Sequence, residues 1–257
     1  MRLTICELKD GRREFARGWE RLVGRVREEE SELVLLPEMI FDRWFPRSRK
    51  FDRAAWDAAV NAHQRWLSRV PELGPATVVG TCPVNRAGRR FNQGFVWEPD
   101  GGLRWVHKKR YLPDEARYWE ASWYTRGDRD FRPIHTQACR LGLMICTDLW
   151  ALSHAIESGR RGVQVIAVPR ATEKRTTEKW LSAGKVAAVL AGAYCISSNR
   201  AANGDSEVHG GVGWVIGPEG DLLARTSGAH PIVTVDVDLS VADHSKGTYP
   251  RPSLSSD

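Results

Sequence analysis

Short apolar runs alternate with longer amphipathic segments along most of this 257-residue chain. Residues 3–8, 32–37 and 76–81 are short stretches rich in Leu, Val, Ile and Thr, as buried strands are. Residues 12–29 and 52–70 place apolar side chains at steps of three and four, the period of a helix packed on one face. The alternation therefore predicts a layered α/β fold in which helices cover sheets.

The same alternation continues through the second half of the chain. Residues 91–97 and 103–107 are separated by the turn sequence EPDGG, which predicts a hairpin. Further helices, strands and a second hairpin with GPEG at its turn are predicted at 149–158, 163–169, 177–193, 195–199, 211–227 and 231–239. No linker interrupts them, so residues 1–257 are predicted to form one domain, with residues 246–257 as an extended tail.

Composition argues against several classes of protein. No run of about eighteen apolar residues is present and MRLTICELKD lacks the plan of a signal peptide, so we expect a cytoplasmic chain without a membrane partner. The five cysteines are widely spread, without CxxC pairs or Cys/His clusters at zinc-ligand spacing, which disfavours a disulfide scaffold and a metal site. The formal charge of +6 comes in short, interrupted basic clusters, so nucleic acid is not an expected partner.

One cysteine stands at a special place in this predicted fold. In the stretch LGLMICTDLW, an apolar strand runs into Cys146 and then into what reads as the first turn of a helix. A side chain there lies at the carboxyl end of the sheet and beside the free N–H groups of a helix start, which favours the thiolate. Cys146 is therefore a candidate nucleophile, whereas Cys6, Cys139 and Cys195 inside apolar strands are expected to be buried and inert.

Two further strands end in charged residues. The run LVLLPEMIF places Glu38 at a strand exit, and LRWVHKKRYLP ends in His107, Lys108 and Lys109. A carboxylate there can take the proton of a thiol, and a lysine can stabilise the oxyanion formed when a thiolate attacks a carbonyl. The glutamate, one of the lysines and Cys146 would then form one catalytic cluster at the same edge of the sheet.

These three motifs resemble, in order and spacing, the signatures of the carbon-nitrogen hydrolase family, also called the nitrilase superfamily. By that resemblance Glu38 is the general base, Lys109 the catalytic lysine and Cys146 the nucleophile. Lys109 is preferred over Lys108 because the family lysine precedes a Leu-Pro or Ile-Pro step by three residues. The stretch RYWEASWYTRGD is similar to the family segment with a second glutamate, so Glu120 is expected to orient the lysine or the attacking water.

The resemblance continues through VIAVPRATEK and the glycine-rich hairpin, and so covers nearly the whole chain. It implies a four-layer α-β-β-α sandwich that assembles as a homodimer or higher homo-oligomer through its helical layer. Two departures stand out. First, residues 151–154 stand where many family members have a Pro-Glu pair, so the substrate contacts of the helix that begins there are left open. Second, Cys146-Thr147-Asp148 stands where true nitrilases usually have Cys-Trp-Glu, which favours amides over nitriles as substrates.

The resemblance implies a thiol-dependent hydrolase that cleaves the C–N bond of a small amide or N-carbamoyl compound through a cysteine thioester. Glu38 would accept the thiol proton, and Lys109 with the backbone N–H of Thr147 would hold the oxyanion. No metal or organic cofactor is required for this chemistry. A nitrilase with the same triad is the main alternative, followed by an acyltransferase and a non-catalytic binding protein on the same fold.

Candidate substrate-binding residues lie in the loops after these strands. Arg170 follows the strand VIAVP and would clamp a substrate carboxylate with two hydrogen bonds, which predicts carboxylate-bearing amides or N-carbamoyl amino acids as substrates. The tryptophans favour an aromatic or extended apolar substrate instead, and both readings stay open. The candidate set is Trp44, Tyr118, Trp119, Trp150, Arg170, Thr172 and Glu173.

Overall fold

The computed structural model describes residues 1–202 and 209–254 of the chain. Its strands are β1 (Arg2–Lys9), β2 (Leu33–Leu35), β3 (Thr77–Arg86), β4 (Arg89–Glu98), β5 (Gly102–Lys108), β6 (Ile134–His135), β7 (Arg140–Leu143), β8 (Val165–Arg170), β9 (Tyr194–Ala201), β10 (Trp214–Ile216), β11 (Leu222–Arg225) and β12 (Ile232–Asp236). Its α-helices are α1 (Arg12–Glu28), α2 (Arg53–Leu67), α3 (Glu120–Trp123), α4 (Ser153–Arg160), α5 (Thr177–Ala191) and α6 (Leu239–Ser245). Within these described ranges, no helix has the length and apolar character needed to cross a membrane.

Strand β1 connects two sheets at the centre of the fold. Its first residues pair with β2 and β12, and its last residues, 7–9, pair with β9. The resulting strand order is β5-β4-β3-β2-β1-β9-β8-β7-β6, with β10 beside β9 and β11 beside β10. Strands β1, β2 and β3 run parallel, as do β7, β8 and β9. The loops that follow β2, β7 and β8 therefore gather at the carboxyl ends of parallel strands, where α/β proteins place their sites.

The two sheets pack face to face, and helices cover their outer faces. Along β2, Leu33 and Leu35 belong to the core between the sheets, which they share with residues of β7 and β8. Val34 and Leu36 point the other way and pack with Trp19 of α1. On the far side, α5 packs against β9 and β10 and α4 packs against α5. These layers confirm the predicted four-layer α-β-β-α sandwich.

The segment after Cys146 differs from its prediction. Residues Cys146–Trp150 form a 3-10 turn, and the first α-helix after it, α4, begins only at Ser153. Cys146 itself has a φ of 49°, in the left-handed region that side-chain-bearing residues rarely adopt. The predicted helix start at the cysteine is therefore wrong, because an apolar strand and a helical turn can be read from sequence but a left-handed residue between them cannot.

The end of the chain is packed rather than extended. Helix α6 ends where the tail was predicted to begin, and residues Arg251–Leu254 form a 3-10 turn. The Arg251 side chain is buried and donates to the carbonyl oxygens of Val189 at 3.0 Å and Ser245 at 2.7 Å. The prediction of an extended tail is thus wrong for residues 246–254, and residues 255–257 lie outside the described residues.

Candidate active site

Three charged side chains meet in a buried cage at the carboxyl end of the sheets. Lys109, directly after β5, donates from Nζ to Glu38 Oε1 at 2.8 Å and to both carboxylate oxygens of Glu120 at 2.7 and 2.8 Å. Asn92 of β4 donates to the same Oε1 of Glu38 at 2.8 Å. Glu38 Oε2 is buried without a hydrogen-bond partner among the described residues. One oxygen of Glu38 is therefore held, and the other is open to a proton.

Cys146 lies beside this cage, and its charge state depends on it. The pKa of the Cys146 thiol is raised, first by burial and then by the negative charge of Glu38. Lys109 and the backbone N–H of Ala171 act in the opposite direction and do not outweigh these effects. The expectation that a helix start favours the thiolate is therefore wrong. In the free site these effects favour the neutral thiol over the thiolate.

The electrostatics of the cage centre on the lysine. Burial alone would lower the pKa of Lys109, but the charges of Glu120 and Glu38 outweigh it and hold the pKa well above its usual value. Burial also raises the pKa of Glu120, and its pairing with the lysine offsets only part of that rise. The single positive charge of Lys109 is already balanced by the carboxyl groups of Glu38 and Glu120. The cage therefore disfavours a negative charge on the Cys146 sulfur.

The turn that carries Glu38 is held by a buried ion pair that the sequence did not reveal. Arg200, near the end of β9, donates to the carbonyl oxygens of Glu38 at 3.1 Å, Met39 at 2.6 Å and Asp42 at 2.6 Å. Its guanidinium also pairs with the buried carboxylate of Asp10. Met39 has a φ of 45°, a conformation that costs on the order of 1–3 kcal/mol unless surrounding contacts impose it. Arg200 supplies those contacts.

A pocket of about 360 Å³ opens over Cys146. Predicted site residues in its wall are Glu120, Tyr118, Thr147, Thr172 and Glu173. Residues of the wall that the sequence did not single out include Ala171, Arg175 and Trp180. The hydroxyl of Tyr118 is buried and has no hydrogen-bond partner in the described part of the chain. A buried donor without a partner is costly, and in a residue of the pocket wall this hydroxyl is a candidate donor to a bound molecule.

Thr147, the predicted backbone donor, lies in the pocket wall directly after Cys146. Its hydroxyl donates to the carbonyl oxygen of Tyr111, which holds the residue in place. Within residues 1–202 and 209–254, its N–H donates to no protein oxygen. This N–H and the ammonium group of Lys109 are candidate donors to an oxyanion formed at Cys146.

Arg170 does not reach the pocket. Its side chain is 1% exposed, with Nε donating to Ser197 Oγ and Nη1 to Thr172 Oγ1, both at 2.7 Å. Nη2 donates to the carbonyl oxygen of Val212, and the guanidinium lies 3.9 Å from the ring centroid of Trp214. All three guanidinium nitrogens thus donate to oxygen atoms of the protein itself. This placement argues against the expected carboxylate clamp and makes Arg170 a support for the pocket residue Thr172.

The three predicted tryptophans also lie outside the pocket wall. Trp44 is buried behind Tyr118, with 5.8 Å between the ring centroids. Trp119 packs against a separate aromatic cluster on the side of α2. Trp150 is 48% exposed and packs at a tilted angle against Trp180, which does line the pocket, with 4.9 Å between the ring centroids. Of the expected aromatic wall, the structure therefore places Tyr118 in the pocket and the tryptophans around it.

The described residues of the site do not form a metal-binding centre. In the part of the chain that the structure describes, no three His, Cys, Asp or Glu side chains are grouped so as to hold a metal ion. What the cage offers is a thiol, a carboxylate with one free oxygen and a buried cation. Together these can supply a nucleophile, proton transfer and charge stabilisation for attack on a carbonyl carbon.

Comparisons with known proteins agree with this chemistry. Residues 11–246 match the family model described as carbon-nitrogen hydrolase. The chain is 28% identical to an omega-amidase from Bos taurus, over 85% of this chain and 82% of the relative. It is 26% identical to an N-carbamoylputrescine amidase from Solanum tuberosum, over 91% and 86%. A solved carbon-nitrogen hydrolase from Helicobacter pylori superposes with a TM-score of 0.88 at 22% identity, covering 98% of this chain and 94% of that one. The chain therefore belongs to the carbon-nitrogen hydrolase family.

Proposed function

We propose that this enzyme hydrolyses small amides or N-carbamoyl compounds through a thioester on Cys146. The observation that carries the proposal is the free oxygen of Glu38, buried in the lysine cage next to a neutral thiol at the floor of a pocket. Relatives named omega-amidase and N-carbamoylputrescine amidase support an amide or carbamoyl substrate.

In the first step, Glu38 Oε2 takes the thiol proton while the sulfur bonds to the substrate carbonyl carbon. The carbonyl oxygen becomes an oxyanion, which Lys109 Nζ and the N–H of Thr147 stabilise. Because Nζ already contacts one oxygen of Glu38 and two of Glu120, the lysine exchanges one of its Glu120 contacts for the oxyanion. Glu120 thus sets where the lysine points before substrate arrives.

In the second step, the C–N bond breaks and Glu38 returns its proton to the leaving nitrogen, so ammonia or an amine departs. A water molecule then gives a proton to Glu38 as its oxygen attacks the thioester carbon. The C–S bond breaks, the sulfur regains the proton, and a carboxylic acid, or a carbamic acid from an N-carbamoyl substrate, is released.

The pocket favours small substrates. Its volume of about 360 Å³ is near the lower limit for small-molecule sites. Its rim carries both signs of charge, because the buried carboxylate of Glu173 pairs with the exposed side chains of Arg175 and Arg117. A substrate carboxylate could contact one of these arginines, and a substrate ammonium group could contact Glu173. We therefore expect selection by size and hydrogen bonding, with the Tyr118 hydroxyl as a substrate donor.

The test is ammonia release from a panel of short aliphatic amides, N-carbamoyl amines, N-carbamoyl amino acids and nitriles. Wild type and Cys146→Ala are compared with Cys139→Ala, which removes a buried thiol outside the pocket. We expect release by wild type and Cys139→Ala from amide or carbamoyl substrates, and none by Cys146→Ala. Turnover of nitriles alone would favour the nitrilase alternative, and full activity of Cys146→Ala would overturn the proposal.

Three broader expectations remain proposals. We propose that residues 1–257 are one domain, that the protein forms a homodimer or larger homo-oligomer, and that it acts in the cytoplasm. Limited proteolysis tests the first, light scattering after gel filtration the second, and cell fractionation the third. A stable fragment, a monomer or a membrane-bound pool would each contradict the corresponding proposal.

A further inference from the structure

We infer that Asp148 and His107 form a positioning pair that fixes the catalytic cysteine relative to the catalytic lysine. Asp148 lies two residues after Cys146, and His107 lies two residues before Lys109. His107 Nε2 and Asp148 Oδ2 are 2.8 Å apart. The inference rests on the proposed roles of the cysteine and the lysine, and it adds two residues that act through them.

A single carboxylate binds both loops. Asp148 Oδ1 accepts hydrogen bonds from the backbone N–H groups of Arg110 at 3.0 Å and Tyr111 at 2.9 Å, the two residues after the lysine. Asp148 Oδ2 accepts from the N–H of Ile145 at 3.2 Å, the residue before the cysteine, and from His107. The Asp148 side chain is fully buried. Its four acceptor contacts therefore fix the separation of the two loops.

The cysteine loop needs such support. Cys146 has a left-handed φ of 49°, a conformation that persists only where neighbouring contacts impose it. The turn that follows, Cys146–Trp150, is a short 3-10 turn and not a full α-helix. Because a displacement of about 1 Å at a reacting group can reduce turnover about 100-fold, the placement of this turn is a catalytic requirement.

His107 completes the environment of the carboxylate. A carboxylate accepts only, so Nε2 carries the hydrogen in this contact. The ring is packed against Phe131, with centroids 4.3 Å apart, and Phe131 stacks on His154 at 3.8 Å, which fixes the orientation of the imidazole. Without His107, Oδ2 would keep the 3.2 Å contact to Ile145 and lose its shorter partner. A buried carboxylate that loses its shorter hydrogen bond is less well stabilised in its position, so its contacts to the two loops rearrange.

The test compares His107→Gln, which keeps a side-chain N–H donor, with His107→Leu, which does not. We expect His107→Leu to lower kcat about 10- to 100-fold with KM within about twofold of wild type, and His107→Gln to stay within about threefold. The second readout is the rate at which iodoacetamide alkylates Cys146, followed by peptide mass spectrometry. This rate should fall for His107→Leu in parallel with kcat.

The control is Tyr194→Phe, which removes a hydrogen bond to the carbonyl oxygen of Asp238 far from the site. It should lower stability and leave kcat and the alkylation rate unchanged. Wild-type values for His107→Leu, or equal losses in both His107 variants, would overturn the inference. Alkylation requires no substrate, so it tests the pair even if no compound in the amide panel is turned over, an outcome that would count against the proposed function instead.

Discussion

Lys109 Nζ lies 2.8 Å from Glu38 Oε1, whereas Oε2 of the same carboxylate has no partner among the described residues. The lysine and Asn92 thus anchor one oxygen and leave the other for proton transfer. In the proposed mechanism, this division lets a rigidly placed buried glutamate act as the base of the nearby thiol.

Replacing Glu38, the proposed base, should remove most of the activity. Glu38→Gln keeps the shape of the side chain but cannot accept a proton, so kcat/KM should fall about 10²- to 10⁴-fold. The measurement is ammonia release from the best amide of the panel. Glu157→Gln, on the partly exposed surface of α4, is the control and should leave the rate unchanged. A Glu38→Gln enzyme that keeps more than about a tenth of wild-type kcat/KM would contradict the role of the free oxygen.

Removing the unpaired hydroxyl of Tyr118 should weaken substrate binding alone. In the free enzyme that hydroxyl has no partner among the described residues, so Tyr118→Phe should not lower the free energy of unfolding. Loss of one substrate hydrogen bond should raise KM roughly three- to tenfold. The measurements are steady-state kinetics and urea unfolding. An unchanged KM would show that the hydroxyl does not contact substrate.

Arg170 should behave as a structural residue. Arg170→Met keeps much of the volume but loses the hydrogen bonds to Ser197, Thr172 and Val212. The free energy of unfolding should fall by about 2–4 kcal/mol, and KM should change equally for neutral and carboxylate-bearing amides. Urea unfolding and paired kinetics check this. A selective rise in KM for the carboxylate-bearing amides at unchanged stability would restore the carboxylate clamp.

Acid should destabilise the protein partly through His63. Burial lowers the pKa of His63 from 6.5 to about 3 in the folded state. Between these values the unfolded state binds the proton and the folded state does not, so stability falls as pH falls. A non-titrating His63→Gln variant should show a slope of unfolding free energy against pH that is shallower by about 1.4 kcal/mol per pH unit. Urea titrations between about pH 6 and 4.5 measure it; equal slopes would refute the assignment.

Much of the fold could be predicted from periodicity. The apolar run of β2, with Leu33 and Leu35 facing one layer and Val34 and Leu36 the other, already implies a strand covered on both faces. The turn at Cys146 could not be predicted this way. Cys146 has a left-handed backbone, which persists only where surrounding contacts impose it, and neither the pattern of apolar residues nor helix propensity reports on such contacts.

The site could be predicted only where a motif marked it. Glu38, Lys109 and Glu120, read from motifs, are brought into hydrogen-bond contact by the structure. Asn92 and Arg200 contact the same site but come from strands without a motif that points to it. The burial of the Arg170 side chain could not be predicted from the sequence either, because the residue that covers it, Trp214, lies on a hairpin far along the chain.

The site works as proposed only if Cys146 remains a neutral thiol until Glu38 takes its proton. The most direct measurement is the thiolate absorbance near 240 nm of wild type minus Cys146→Ser, recorded from about pH 6 to 9. Because burial and Glu38 raise the pKa of Cys146, we predict no absorbance step across this range. A step at about pH 7 would show a preformed thiolate and would contradict proton transfer to Glu38 during attack.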